Sequence, residues 1–324
     1  MHSGVRFWSF GRKVISRKLA LLVALTTFVC IRYFITEVID KAAPVLSLDE
    51  GDVCDTKPGL KPRLPKAIVI GAKKSGTSAL VSWLNLHPQI VAHRGEVNFF
   101  NLEQNYKKGF SWYRNAMPKS HQYQITIESS PRYFILPDVP KRVRAMNSSI
   151  KLLLIVREPV SRLISDYIHG LRHYEISGTE SFRSLLTISA DEINSGSPLL
   201  QPSLYATQLS RWLQYFPKNQ IHVVNGDILR SNPSSELILV EQFLNVKSNL
   251  TEKDFYWNKL RKSFCTTRGK TDLTRKDGCL NLGKGESHKK YSAIDDEFKL
   301  KLANWLREKN KNFNSLSGRD FGWA

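Results

Sequence analysis

The sequence has few of the residues and motifs from which metal sites are built. Only 4 of its 324 residues are cysteine, and it contains no HExxH motif, no CxxC pair and no triad of acidic residues spaced to hold a metal ion. These absences argue against a zinc site or another protein-bound metal, and we expect none. The chain also lacks internal repeats and low-complexity tracts, which argues against a repeat architecture.

Acidic residues are scarce relative to basic ones. The chain has 29 Asp and Glu against 48 Lys and Arg, which gives a formal net charge of +19. A field of this sign indicates an anionic partner, although charge alone does not choose among nucleic acid, a membrane surface, a nucleotide and an acidic polysaccharide. With 41% hydrophobic residues the chain can bury one sizeable core, and we expect one folded domain.

Long apolar runs are also rare, and the main one lies near the N-terminus. It reads LALLVALTTFVCI from Leu19 to Ile31, follows a basic segment and precedes the acidic residues Glu37 and Asp40. This asymmetry orients the N-terminus to the cytosol and the remainder to the lumen. A cleaved signal peptide has a similar pattern, but no small-x-small cleavage site precedes Lys41, so we predict an uncleaved type II anchor. The predicted segments are a cytoplasmic tail (1–18), a signal-anchor span (19–36), a luminal stem (37–65) and a folded domain (66–324).

A luminal domain would fold in an oxidising compartment. Cys30 lies in the predicted span and Cys54 in the stem, which leaves Cys265 and Cys279 as the pair in the domain. We predict that these two form a disulfide, with two free thiols as the alternative. Two Asn-X-Ser/Thr triplets suit the same compartment as candidate glycosylation sites, and they begin at Asn147 and Asn249.

Short β-rich runs alternate with amphipathic stretches beyond residue 66. The β-rich runs cover residues 66–71, 124–128, 151–156 and 220–227, and a helical pattern follows each of them. Continuous apolar strands followed by helices indicate an α/β fold with a central parallel sheet and helices on both faces. Several aromatic residues at helical spacing are predicted to lie in the core, namely Trp112, Tyr113, Trp212, Tyr215 and Trp305.

The first of these strands ends in the glycine-bounded loop GAKKSGT, residues 71–77. A helix that opens at Thr77 or Ser78 would aim its backbone N–H groups at an anion, so the loop predicts phosphate or sulfate binding. The nucleoside triphosphatase pattern GxxxxGK[ST] is broken because Thr77 stands at its lysine position, which argues against ATP hydrolysis. A simple glycine turn between strand and helix is the alternative.

A second motif, KLLLIVREPVSRLISDY, covers residues 151–167. It places Arg157 at the end of a strand and Ser165 in the next helix, near the crevice where open α/β sheets bind ligands, so the two are candidates to bind a second phosphate. Arg162 and Asp166 are spaced i and i+4, and we predict a surface ion pair between them.

Four segments together resemble the Golgi heparan sulfate sulfotransferases: GAKKSGTSAL, GEVNFFNLEQNYKKGFSWY, VREPVSRLISDY and CTTRGKTDLTRKDGCLNLGKGESH. The similarity spans residues 66–324 and is closest in layout to the glucosaminyl 3-O-sulfotransferases, with features of the sulfotransferase domain of N-deacetylase/N-sulfotransferases. The resemblance implies a P-loop-like sulfotransferase fold that uses 3'-phosphoadenosine 5'-phosphosulfate (PAPS), without a metal, to sulfate the glucosamine 3-hydroxyl of heparan sulfate. It also implies a Golgi membrane enzyme with an acidic polysaccharide, and not a nucleic acid, as its partner.

The resemblance assigns residues to the PAPS site. The 5'-phosphosulfate would lie on Lys73, Lys74, Ser75, Gly76 and Thr77, and the 3'-phosphate on Arg157 and Ser165. Lys74 matches the lysine that stabilises charge on the bridging oxygen as the S–O bond breaks. A late element KGRxH closes over the nucleotide in the family. Here it reads Lys284, Gly285, Glu286, Ser287 and His288, with a glutamate in place of the arginine.

On the acceptor side, Glu96 matches the glutamate that removes the proton of the sugar hydroxyl, whereas a solvated loop carboxylate is the alternative. The family's histidine, aspartate and strand-end lysine are replaced here by Asn98, Asn101 and Ser129, and His169 is a further acceptor-side candidate. Asparagine forms hydrogen bonds but carries no charge, so we expect an altered grip on the acceptor. The candidate polymer contacts are Arg94, Lys107, Lys108, Arg132, Lys289 and Lys290.

Four other functions remain open at this point: an N-sulfotransferase, another glycosaminoglycan O-sulfotransferase, a catalytically silent heparan sulfate-binding homologue and a luminal kinase-like enzyme.

Overall fold

The computed structural model describes residues 59–189, 192–268, 278–280 and 294–323. The strands in these ranges are β1 (Lys61–Pro62), β2 (Ala67–Gly71), β3 (Ile90–Ala92), β4 (Lys119–Ser120), β5 (Ile125–Ser129), β6 (Lys151–Val156), β7 (Ile221–Asn225), β8 (Phe255–Asn258) and β9 (Ser263–Thr266). Five of them form a parallel sheet in the order β3-β5-β2-β6-β7. The predicted parallel sheet is therefore confirmed. The prediction missed only its edge strand β3, which is three residues long.

Helices cover both faces of this sheet. In the described part of the chain they are α1 (Thr77–Leu84), α2 (Glu103–Tyr106), α3 (Gly109–Ala116), α4 (Val139–Met146), α5 (Pro159–Arg172), α6 (Tyr205–Leu213), α7 (Gly226–Ser231), α8 (Pro233–Leu244) and α9 (Asp296–Ser317). Short 3-10 helices lie at Pro131–Ile135, Gln201–Ser203, Lys218–Gln220 and Glu252–Asp254.

Alternate side chains of β2 and β6 belong to two different cores. One core, packed under α3, α4, α6 and α9, takes Ile68, Ile70, Leu152 and Leu154 from the two strands. The other core, packed under α1 and α8, takes Ala67, Val69, Leu153 and Ile155. Because successive side chains of a strand point to opposite faces, a strand buried on both faces is apolar at every position. This explains the continuous apolar runs in the sequence.

The aromatic residues predicted as core do lie in these cores. Tyr113 and Trp212 are fully buried, and Trp112 and Tyr215 pack against the same cluster while partly exposed. Trp305 packs against a third cluster, formed by α5, α9 and side chains of the connection between α5 and α6.

The folded unit includes residues upstream of Lys66. Strand β1 pairs antiparallel with β4, and Arg63 Nε donates to the carbonyl oxygen of Ser120 at 3.2 Å. Leu64 packs against the first core. The predicted tail, span and most of the stem lie outside the described residues. Among the residues that are described, no helix has the length and apolar character needed to cross a membrane.

The Arg162–Asp166 ion pair forms, but the prediction that it lies on the surface is wrong. The atoms Nη1 and Oδ2 are 2.8 Å apart, and the two side chains are 0% and 7% exposed. Arg162 also donates to the carbonyl oxygens of Leu199, at 2.7 Å, and Lys73, at 3.4 Å. The segment around residue 199 covers this face of α5, a contact that helical spacing does not reveal. A buried guanidinium must have such partners, because an unpaired buried charge is strongly destabilising.

The predicted disulfide between Cys265 and Cys279 is confirmed. It joins the end of the antiparallel β8–β9 hairpin to a short segment at residues 278–280, and both cysteines are buried.

Replacement of both cysteines, Cys265→Ser with Cys279→Ser, should lower the free energy of unfolding by about 3 kcal/mol, because the unfolded chain regains the entropy of an open loop. Urea unfolding under non-oxidising and oxidising conditions measures the change. The wild-type protein is the control. Its free energy of unfolding should fall by a similar amount when reductant is added and stay unchanged without it. Identical unfolding midpoints for variant and wild type without reductant would contradict the expectation.

Helix α7 begins at Gly226, which packs against the loop after β2. A Cβ atom at this position would lie 2.5 Å from the carbonyl oxygen of Ser75 and 2.8 Å from that of Val156. The side chain of Asn225 caps α7 by accepting the N–H groups of Asp227 and Ile228, so the start of the helix is fixed. Only glycine lets α7 pack against both carbonyl groups.

Gly226→Ala should therefore push α7 away from the loop and lower the free energy of unfolding by about 1–3 kcal/mol, the usual penalty for overpacking. Gly178→Ala is the matched control, because a Cβ atom there meets nothing within 4 Å. Thermal and urea unfolding of both variants measure the difference. Equal stability of the two variants would show that the contact with Ser75 relaxes without strain.

Candidate active site

The loop after β2 turns sharply and opens α1 at Thr77, as predicted. Ala72 N–H donates to the carbonyl oxygen of Ile155 in β6 at 2.7 Å, and Ser75 N–H donates to that of Ala72 at 3.1 Å. Lys74 and Gly76 have left-handed φ angles of 68° and 110°. Helix α1 has no side-chain cap and no acidic residue in its first turn. Its first N–H groups are thus suited to an anion.

The loop lies at the point where the connections of the sheet diverge. From β2 the chain crosses to β3 on one side, and from β6 it passes to β7 on the other. Parallel sheets bind ligands at such a point, beyond the carboxyl ends of the strands. Arg157 directly follows β6, and its carbonyl oxygen accepts a hydrogen bond from the Tyr205 hydroxyl at 2.9 Å. The structure therefore brings the 71–77 loop and Arg157 to the same edge. Ser165 lies half-buried in α5.

Two polar atoms at this edge, Ser75 Oγ and Arg157 Nε, are buried without a well-formed hydrogen bond among the described residues, and the Ser75 hydroxyl faces that of Tyr205. The nearest approach of a carboxylate is that of Asp227 Oδ1, 3.8 Å from Arg157 Nε and beyond hydrogen-bonding distance. Burying an unsatisfied polar group costs about 1–3 kcal/mol. Both atoms are donors that anionic oxygens of a ligand would satisfy, so these residues fit a phosphosulfate and a second phosphate.

The two lysines of the loop have different surroundings. Lys73 Nζ lies 3.2 Å from Asp166 Oδ1 and 3.4 Å from Glu175 Oε2, so two carboxylates hold it. Burial lowers the pKa of Lys74; Asp166 opposes the shift, and Lys73 adds to it. A half-buried ammonium group beside the open helix N-terminus is well placed to contact an anion.

His169 lies in α5 near the same lysines. Burial lowers the pKa of its imidazole, and the charges of Lys74 and Lys73 lower it further. Its ring centroid lies 4.2 Å from that of His173, with the two ring planes tilted by 45°. The structure thus places His169 near the 71–77 loop, which carries the two lysines.

Three of the predicted acceptor-side residues, Glu96, Asn98 and Asn101, lie on the loop between β3 and α2, residues 93–102. Glu96 is exposed on this loop, and Asn98 is half-buried with a left-handed φ of 53°. Asn101 Nδ2 donates to Asn98 Oδ1 at 3.0 Å, so the two asparagines support each other. Ser129 is buried at the end of β5. It pairs with Val69 of β2, so it lies next to the strand that leads into the 71–77 loop.

Sequence reasoning missed a buried acid beneath this loop. Glu128, in β5, has no exposed surface, and its carboxylate accepts hydrogen bonds from the hydroxyls of Ser130 and of Tyr113, the latter at 3.2 Å. Burial raises the pKa of Glu128 to about 7, against the lowering effect of these hydrogen bonds. A carboxylate inside the apolar run QITIE was the signal in the sequence, because a charged residue is rarely buried without a purpose.

Several predicted residues have other environments or lie outside the description. The segment Lys284–His288 and the basic residues Lys289 and Lys290 fall outside the described residues. Asn147 and Asn249 are half-buried; the side-chain oxygen of the first accepts Ser149 N–H at 2.9 Å, and that of the second accepts a hydrogen bond from Arg268. Among the described residues, no group of three or more His, Cys, Asp or Glu is arranged to hold a metal ion.

Comparison with known proteins identifies the family. The family model of the sulfotransferase domain matches residues 64–314 of the chain. The chain is 42% identical over 264 residues to heparan sulfate glucosamine 3-O-sulfotransferase 5 of Homo sapiens, covering 81% of this chain and 74% of that protein. It is 35% identical over 283 residues to heparan sulfate glucosamine 3-O-sulfotransferase 6 of Homo sapiens, covering 87% and 78%.

Among solved structures, a sulfotransferase from Alicyclobacillus acidocaldarius has the same fold, with a TM-score of 0.58, 18% identity and coverage of 81% of this chain and 99% of that one. The resemblance inferred from four sequence motifs is confirmed by these matches. The chain belongs to the sulfotransferase family, within the group of heparan sulfate glucosamine 3-O-sulfotransferases.

Proposed function

We propose that the protein transfers a sulfuryl group from PAPS to the 3-hydroxyl of glucosamine residues in heparan sulfate. The observation that carries this proposal is the pair of buried donors, Ser75 Oγ and Arg157 Nε, which lie at one edge of the sheet without a well-formed hydrogen bond among the described residues. The chain is 42% identical to a protein named for this reaction. PAPS carries two separate anionic groups, and the edge offers two separate sets of donors.

The 71–77 loop would bind the 5'-phosphosulfate, with the first N–H groups of α1, Ser75 and Thr77 as donors. Arg157 and Ser165 would bind the 3'-phosphate. Lys74 would lie against the bridging oxygen and stabilise the charge that grows there as the S–O bond breaks. Lys73 forms ion pairs with Asp166 and Glu175. To contact the phosphosulfate it would have to break these ion pairs or keep them while it also binds the anion.

Glu96 would act as the base. The sugar oxygen attacks sulfur while its proton passes to the carboxylate, a new S–O bond forms, and the bond between sulfur and the phosphate oxygen breaks in line. Adenosine 3',5'-bisphosphate leaves with the electron pair. Because Glu96 is exposed, it can contact a polymer that approaches from solvent. Asn98, Asn101, Ser129 and His169 would contact the sugar or its neighbours without a fixed negative charge.

The N-terminal segments complete the proposal. A tail (1–18), a signal-anchor span (19–36) and a stem (37–65) would hold the domain in the lumen of the Golgi apparatus as a single-pass type II membrane protein. The net charge of +19 suits an anionic polysaccharide, and this proposal includes no nucleic-acid partner. The lumen would also permit glycosylation at Asn147 and Asn249.

Glu96→Gln should reduce kcat by about 10²–10⁴-fold, the usual contribution of a general base, and leave the affinity for adenosine 3',5'-bisphosphate unchanged. The assay uses labelled PAPS with heparan sulfate, and disaccharide mapping of the product reports the position of the new sulfate. The matched control is Glu103→Gln, which removes another exposed acid of the same region that pairs with Arg142.

Three outcomes would contradict parts of the proposal. Full activity of the Glu96 variant would remove that residue from its role. Sulfate on the amino group would indicate an N-sulfotransferase. Tight binding of heparan sulfate without any turnover by the wild type would indicate a silent binding protein.

A further inference from the structure

The backbone of the predicted acceptor loop is anchored to a polar cluster in the protein interior. Asn98 N–H donates to Ser130 Oγ at 2.9 Å. The next two N–H groups, those of Phe99 and Phe100, donate to the Tyr133 hydroxyl at 2.8 and 3.3 Å. A hydroxyl that accepts a backbone N–H retains its own hydrogen for another partner. The cluster therefore needs a further acceptor.

Glu128 is that acceptor. The Ser130 hydroxyl donates to its Oε1 and the Tyr113 hydroxyl to its Oε2. The Tyr133 hydroxyl and Val97 N–H also form hydrogen bonds with this carboxylate. The N–H groups of four consecutive residues, 97 to 100, thus end on Glu128 directly or through one hydroxyl. These four residues directly follow Glu96.

The apolar side chains of the same segment lock it from the other side. Phe99 and Phe100 are fully buried, with Phe99 stacked on Tyr113 at 4.3 Å between ring centroids. Asn105 Nδ2 donates to the carbonyl oxygen of Val97 at 3.2 Å. The loop is therefore fixed from Val97 onward, and the exposed Glu96 is held at the end of a rigid segment.

We propose that Glu128 is a positioning residue: it fixes the backbone that presents Glu96, Asn98 and Asn101 to the acceptor sugar. This inference rests on the proposed function only for the role of that loop in acceptor binding. Above about pH 7, where Glu128 is ionised, its hydrogen bonds are charge-assisted and stronger than neutral ones, which suits a segment that must stay in place. Catalytic groups are held within a fraction of an ångström by such supporting contacts.

Glu128→Gln tests this inference, because glutamine keeps the shape and removes the charge and one acceptor oxygen. We expect amide hydrogen exchange in the segment 96–101 to accelerate by about 10-fold or more. For the acceptor, kcat/KM should fall by about 10²-fold, as for a misplaced catalytic group. The affinity for adenosine 3',5'-bisphosphate should stay within about 2-fold of wild type, because the 71–77 loop makes none of these hydrogen bonds.

Glu241→Gln is the matched control. Glu241 is equally buried and also accepts backbone N–H groups, including that of Leu250 at 2.9 Å, but it lies in α8 under the opposite core. Its variant should leave both the exchange of residues 96–101 and kcat/KM at the wild-type level. If Glu128→Gln does not fold, Tyr133→Phe replaces it, because it deletes only the hydroxyl that accepts the N–H groups of Phe99 and Phe100.

Exchange and nucleotide affinity are read without turnover, so the outcomes separate. Wild-type exchange of the segment in Glu128→Gln, or equal effects of the Glu128 and Glu241 variants, would overturn the inference whatever Glu96→Gln does. Faster exchange together with a fully active Glu96→Gln would leave the anchoring intact and remove Glu96 from its proposed role.

The same variant should show how Glu128 couples to pH. Burial raises its pKa from 4.5 to about 7, and the titratable groups that contact it, Tyr113 and Tyr133, remain protonated because burial raises their pKa values as well. The folded state thus retains a proton that the unfolded state loses between these two values, so stability falls as pH rises from about 4.5 to 7. Urea unfolding of Glu128→Gln should lack this decrease relative to wild type and run parallel to it above pH 7.

Discussion

The parallel pairing of β2 with β6 is the contact on which the site depends. Register pairs run from Ala67 with Lys151 to Gly71 with Leu154, and the hydrogen bond from Ala72 N–H to Ile155 continues the pairing into the loop. The chain leaves these two neighbouring strands in opposite directions. The loops that follow them therefore separate and leave room between for a ligand. In this strand order Ser75 and Arg157 follow neighbouring strands at that edge.

A buried ion pair lies directly beneath the lysines of the loop. Arg162 contacts Asp166, the carbonyl oxygen of Lys73 and the segment at Leu199, so it joins helix α5, the loop and a distant connection. Asp166 is shared with the Lys73 side chain. Removing one partner of a buried pair is costly, which makes this arrangement a rigid base for the loop. The same carboxylate therefore serves both the structure and the electrostatics of the site.

The proposed acceptor side combines one carboxylate, that of Glu96, with neutral neighbours. Asn98 and Asn101 bond to each other, and Ser129 lies at the end of the adjoining strand. These residues offer hydrogen bonds in place of charges, so in the proposed function they would affect which sugars fit more than how the sulfuryl group is transferred. Glu128 differs from them because it is an acid buried in the interior, where burial disfavours its charged form and raises its pKa. Such a cost to stability is typical of groups that support a functional site.

The sequence by itself determined the elements that depend on local pattern. Apolar runs located four of the five strands of the sheet, glycines located the loop and the start of α1, and i,i+4 spacing located the Arg162–Asp166 pair. Tertiary structure alone decided the burial of that pair, the contact of Gly226 with Ser75, and the attachment of residues 97–100 to Glu128, Ser130 and Tyr133. These contacts join residues about 30 to 150 positions apart, and periodicity carries no information at such separations because it reports only which face of an element is apolar.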